Sequence, residues 1–189
     1  MGKSRMQWNW NTYHRWIKEG RGLGTGKDYI PWVTIHDLAS RGISSRVPGL
    51  TTGRMHQLLS GLETAMFYIL DASDLALDIR EQFPLLPLEE TLRIADEMGI
   101  RHPRDQVSKY PYVFTSDFVV TTPAGLKVLS VKPSSELEKL RVREKLAVEH
   151  RFGEEQKRIT IDLSSPLDLV TPRIGNGKGG RYSWIETYA

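Results

Sequence analysis

The chain has 189 residues, 39% hydrophobic and 26% charged, which suits one domain with a sizeable core of its own. It holds no cysteine, and this excludes a disulfide scaffold, an iron–sulfur cluster, a thiol nucleophile and every cysteine-based zinc site. The net charge of +3 is unevenly spread: residues 1–60 carry nine Lys/Arg against three Asp/Glu, while 61–150 carry eleven against fifteen. Such a layout suits a basic arm that touches a polyanion beside an acidic body that binds cations, and a merely solvated basic surface is the alternative. Apolar runs such as 65–70 are too short to span a bilayer, and the start is polar, basic and aromatic with no apolar leader. The expectation is a cytoplasmic protein without a membrane segment.

Along the chain, the first stretch interleaves Trp8, Trp10, Tyr13, His14 and Trp16 with Arg15, Lys18 and Arg21. Glycine then falls at every second position from Gly20 to Gly26, followed by Lys27. The run is not a phosphate loop of the Walker type: Arg21 stands where the first glycine belongs, and Asp28 where Ser or Thr belongs. Nor is it a dinucleotide fingerprint, because Thr25 takes the place of the third glycine. A pliable backbone remains, able to approach a phosphate chain or another strand closely, or simply to turn.

Helical spacing of Leu58, Leu59, Leu62, Ala65, Met66, Phe67, Ile69 and Leu70 predicts a helix over 51–73. Glu63 breaks its apolar face, four residues from both Leu59 and Phe67. A carboxylate there is paired, binds a metal, or sits at the edge of the face and reaches water. Alternation over 75–83 predicts a strand with Leu75, Leu77 and Ile79 on one face. A short helix follows Pro87, with Glu89 and Glu90 in its first turn and Gly99 past its end.

Residues 112–120 and 126–132 read as two strands joined by a hairpin loop at 121–125. With Pro123 and Ala124 at the turn, Asp117 stands opposite Ser130 and one step from Lys132. Pro133 ends the second strand, and Ser135 with Glu138 offers a capping box for a charged helix running to about Arg151. A last strand is expected over 158–163 and an irregular tail over 164–189, docked by Trp184 and Tyr188. The predicted architecture is α/β, a mixed sheet flanked by helices. Its parts are a basic, Gly/aromatic-rich segment (1–52), a core (53–163) and the tail (164–189).

In this order Glu63, Asp117 and Lys132 can converge at one sheet edge. Two carboxylates hold Mg²⁺, a hard ion that keeps positions for water and phosphate. A lysine beside them would orient water and offset charge as a phosphodiester is hydrolysed. An ordinary cross-strand salt bridge between Asp117 and Lys132 is the competing reading. Asp78 and Glu81 could carry a second metal or pair with Arg80 or another base. The five histidines (His14, His36, His56, His102 and His150) show no zinc spacing, and His56 is expected two helical turns before Glu63.

Segments from about Trp16 to Phe152 resemble the nuclease domain of the TnsA endonuclease subunits of heteromeric, TnsABC-type transposases. They include Ile17 to Gly22, Gly26 to Trp32, Thr52 to Arg54, His56 to Ser60, Leu62-Glu63, Leu77 to Leu85, Ile94 to Asp96, Gly99-Ile100, His102-Pro103, Thr115 to Phe118 and Val131 to Pro133. The resemblance implies a restriction-endonuclease-like, PD-(D/E)XK fold with a Mg²⁺ site that Mn²⁺ also fills. It implies cleavage of double-stranded DNA at the 5′ ends of a transposon. A DDE-type partner, TnsB, processes the 3′ ends, and an ATPase regulator, TnsC, binds the assembly. The implied catalytic residues are Glu63, Asp117 and Lys132. The implied metal donors are Glu63, Asp117, the Val131 carbonyl and, through water, Ser130. The family usually has Gln where this chain has Ser130, and the likeness ends near Gly153. Two further readings stand beside this one: a non-catalytic DNA-binding or assembly subunit of a transposase, and a stand-alone phage or restriction-type nuclease.

Overall fold

The computed structural model describes residues 7–37 and 43–156, and the backbone of 184–186. Its elements are α1 (Trp10–Lys18), β1 (Ser45–Pro48), β2 (Met55–Leu58), α2 (Gly61–Asp71), β3 (Asp78–Pro84), α3 (Leu88–Glu97), β4 (Thr115–Thr122), β5 (Gly125–Val131), α4 (Leu140–Gln156) and β6 (Trp184–Glu186). Strands β3-β4-β5-β6 form one sheet, and β1-β2 form a separate hairpin.

The β4–β5 hairpin has the register expected from its turn. Thr122 pairs with Gly125 across Pro123-Ala124, and the ladder runs back to Phe118 opposite Leu129. Pleating sends Phe118, Val120, Leu129 and Val131 into one apolar cluster with Met66, Phe67 and Leu70 of α2. The residues between them, Ser130 included, face the other way, toward α4. There α3 and α4 close a second cluster of Ile94, Ala95, Val148 and Phe152 with Leu85 and Phe114. Each fully buried side chain of this size contributes about 1.5–3 kcal/mol, so the sheet is held from both sides.

Several expectations are corrected. The helix predicted over 51–73 is shorter, because 49–53 is a turn with Gly53 at φ 67 and Met55–Leu58 pairs with Ser45–Pro48. The spacing of Leu58 and Leu59 suits either element, and strand pairing decides it. His56 therefore lies on β2 and not on a helix above Glu63. The third strand begins at Asp78, leaving Leu75 and Leu77 about half exposed. A short 3₁₀ turn occupies Ser134–Glu136 without a side-chain cap, so Ser135 starts no helix, and α4 begins at Leu140. Every described strand pair is antiparallel, so the sheet is not mixed among the described residues. The strand expected over 158–163, on which a parallel pairing would depend, lies outside them. From the tail expected to be irregular, Trp184–Glu186 pairs with β5 and is the outermost strand of the sheet among the described residues.

The N-terminal segment packs on the core. Trp8, Tyr13, Trp16 and Trp32 bury their rings together with Leu88 and Val113. Arg21 lies over the Trp16 ring at 4.0 Å and pairs with Asp37 at 2.7 Å. The glycine run serves close approach: a Cβ on Gly22 (φ 82) would lie 2.2 Å from Pro84. Gly26 donates its N–H to Asp78 at 3.0 Å.

Candidate metal-dependent nuclease site

Glu63 enters at the first turn of α2. Ser60 caps that helix by accepting from the Glu63 N–H at 3.1 Å. The carboxylate folds back in return, accepting from Leu59 N at 2.8 Å and Ser60 Oγ at 3.0 Å. A third donor arrives from the sheet: Gln82 Nε2, 3.1 Å from Glu63 Oε2. Only 6% of Glu63 is exposed. Burial first, and the neighbouring charge of Asp117 second, hold its carboxyl above the usual range.

Asp117 lies on β4, buried, where the ladder beyond Phe118 gives way to side-chain bonding. Its Oδ2 accepts from Val131 N at 2.7 Å and from Lys132 Nζ at 2.7 Å. Both donors converge on one oxygen, so Oδ1 is left for another partner. Burial alone would lower the Lys132 pKa, but the charge and hydrogen bond of Asp117, with Glu63 and Glu149 behind it, hold it above the usual lysine range. Lys132 is cationic at neutral pH.

Ser130 is fully buried and donates its hydroxyl to Glu149 of α4, at 3.0 and 3.1 Å from the two carboxylate oxygens. Burial pushes the Glu149 carboxyl up, against the opposing charge of Lys145. Sequence reasoning passed over Glu149, although the signal was the one that singled out Glu63. Glu149 stands on the stripe of Val148, Phe152 and Gly153, which the helix buries. Gln82 was missed as well, and no local pattern marks it.

Asp78 and Glu81 do not join this cluster. Glu81, wholly buried, accepts from Arg54 Nη1 at 2.8 Å and Nη2 at 2.5 Å, from Gln57 N at 2.9 Å, and bonds the His56 ring at 2.7 Å. The other ring nitrogen of His56 faces Thr52 Oγ1 at 2.7 Å. This network clamps the β1–β2 hairpin onto β3. Asp78 pairs with Arg80 at 3.3 Å.

Glu63 and Glu149 each feel the charge of Asp117, and acid outnumbers base in this neighbourhood: Glu63, Asp117 and Glu149 against Lys132 and Lys145. A divalent cation fits that imbalance. Among the described residues no three His, Asp or Glu gather as a ready-made metal cage. Mg²⁺ needs none, because it keeps several waters and takes one or two carboxylates together with a substrate phosphate.

Residues 73–161 match the family described as TnsA-like endonuclease N terminal. Over 146 residues the chain is 44% identical to the transposon Tn7 transposition protein TnsA of Escherichia coli. Over residues 73–161 this chain is TnsA-like. The alignment covers 76% of it and 52% of the Escherichia coli TnsA, so the chain spans about half the length of that relative. Within the TnsA-like match lie Gln82, Asp117, Ser130, Lys132 and Glu149, while Glu63 stands ahead of it. Among the described residues no helix is long and apolar enough to cross a membrane.

Proposed function

We propose that this chain is the nuclease domain of a Mg²⁺-dependent endonuclease that hydrolyses phosphodiesters of double-stranded DNA at the 5′ ends of a transposon. The observation that carries the reading is the pair of buried Asp117 and half-buried Lys132 at 2.7 Å, standing in an excess of carboxylates. A simple salt bridge would need neither Glu63 nor Glu149 nearby at the cost of burying them. The PD-(D/E)XK class is part of the proposal, supported by a carboxylate on β4, a lysine just past the end of the adjacent antiparallel β5 and a further acid on α2.

Glu63, Asp117 and the Val131 carbonyl would hold the ion, with Ser130 reaching it through water. Bound there, Mg²⁺ or Mn²⁺ would polarise the scissile phosphate and lower the pKa of a water. Asp117 keeps Oδ1 toward that side because its other oxygen is pinned by Val131 and Lys132. Lys132, held cationic, orients the attacking water and offsets the charge that develops on the phosphorus oxygens. Ser130 spends its only proton on Glu149, so toward the site it can only accept. A DDE-type partner of the TnsB kind would act on the 3′ ends, and an ATPase of the TnsC kind would regulate the assembly.

The test is nicking of DNA carrying transposon ends, with Mg²⁺ or Mn²⁺, alone and with a partner transposase. Asp117→Ala and Lys132→Ala are each expected to abolish nicking. An Asp117→Ala protein that cuts at the parental rate refutes the proposal. Cleavage by the parent without any partner would favour a stand-alone nuclease.

A further inference from the structure

Gln82 has an unusual backbone. Among the described residues two non-glycine residues have a left-handed φ, Gln82 (48°) and Lys109 (59°), and only Gln82 lies inside a strand. A side chain in that region costs stability and persists only where its surroundings hold it there. Glu81 pairs with Phe118 and Phe83 with Ser116, so the count along the ladder sets Gln82 opposite Asp117. That one pairing is skipped.

Two contacts account for the conformation. The Gln82 carbonyl accepts from Trp32 N at 3.2 Å, bonding to the N-terminal segment instead of the neighbouring strand. Its side chain, 4% exposed with the rest of the residue, places Nε2 against Glu63 Oε2 and Oε1 3.5 Å from Thr115 Oγ1. The amide orientation follows from chemistry, because an ionised carboxylate only accepts and so must meet the NH₂ end.

The other donors to Glu63, Leu59 N and Ser60 Oγ, lie within four residues of it. They fix the carboxylate relative to its own helix and say nothing of where it stands relative to Asp117. Gln82 supplies the bond from the sheet. We propose that Gln82 is a positioning residue of the nuclease site: the Trp32 amide holds its backbone out of the ladder, and its side-chain amide sets Glu63 against Asp117 and Lys132. This rests on the function proposed above and gives the Trp-rich N-terminal segment a part in it. Trp32 is 1% exposed and packs against Trp8 and Trp16, so the anchor is rigid.

The experiment is Mn²⁺ titration of the full chain by calorimetry, with the melting temperature recorded beside it, for the parent, Gln82→Gly, Gln82→Asn and Asp117→Ala. Glycine adopts the left-handed conformation freely and lacks the amide. Asparagine tolerates the conformation and is one methylene too short. Relief of the left-handed strain offsets the lost bond in Gln82→Gly, which is expected to melt near the parental temperature, and both variants are expected to bind Mn²⁺ about tenfold more weakly, the usual order for losing a group that orients a metal ligand. Parental Mn²⁺ affinity in both, with Asp117→Ala weakened, overturns the role of Gln82 and leaves the nuclease reading standing. Parental affinity in Asp117→Ala as well sinks the nuclease reading itself. A fall in affinity that appears only together with a fall in melting temperature, in both variants, makes Gln82 structural and overturns the proposal.

Discussion

Replacing Arg54 with methionine removes the partner of a carboxylate that has no exposure at all. The guanidinium bonds both oxygens of Glu81, and it also reaches the carbonyls of Ile79 at 2.9 Å and Gly26 at 3.1 Å. Breaking a buried pair from one side costs about 3–5 kcal/mol, because the remaining charge is left without compensation. The pH dependence yields a similar figure. Burial pushes the Glu81 carboxyl up, but its hydrogen bonds from Arg54 and with His56 outweigh that and bring it from 4.5 down to about 2. At 1.36 kcal/mol per unit this is on the order of 3 kcal/mol. Because the folded value is the depressed one, the contribution is present above the unfolded value and is lost as pH falls through about 2. For a domain of this size, where a kcal/mol moves the midpoint by about 2–4 °C, Arg54→Met should melt roughly 6–20 °C below the parent at pH 7. Urea unfolding from pH 7 down to pH 2 provides the assay. The parent should lose stability more steeply than the variant between pH 5 and 2, so that the two curves converge in acid. A loss below about 1 kcal/mol at pH 7, well under the buried-pair range, or parallel curves down to pH 2, would refute the argument that this clamp holds the β1–β2 hairpin to the sheet.

Other substitutions probe different links. Gly22→Ala combines a left-handed φ of 82° with a Cβ 2.2 Å from the Pro84 ring, so a loss of at least 1–2 kcal/mol in thermal denaturation is expected from the backbone alone, about the cost per residue of the left-handed form. Ser60→Ala removes the α2 cap together with the hydroxyl that Glu63 accepts from, which should cost about 1 kcal/mol by the same measurement. Glu149→Ala frees the Ser130 proton and should reduce Mn²⁺-dependent nicking by about tenfold or more, as loss of an orienting group does. A Glu149→Ala protein with parental nicking would show that the Ser130–Glu149 bond takes no part.

The β4–β5 hairpin was legible in sequence because a two-residue turn fixes every pair behind it, and the pair of Asp117 and Lys132 followed from counting. The acid on the apolar face of α2 was legible too, since 3.6-residue spacing reveals any charge that breaks it. The same count applied to α4 would have singled out Glu149.

Other features depended on residues distant along the chain. Leu58 joins a strand because Ser45 lies across from it, and His56 meets Glu81 because the hairpin docks on β3. Local spacing carries no trace of either partner. The left-handed turn of Gln82 is likewise chosen by Trp32, fifty positions earlier, and by Glu63 on another element. Periodicity and turn chemistry are properties of neighbours in sequence, so the sequence by itself determined the β4–β5 hairpin with its register and the acid that stands out of place on α2. Which donors each carboxylate receives, and so how the acids are aimed at one another, arises only when the hairpin, the sheet and the aromatic segment pack together, and the tertiary structure alone decided it.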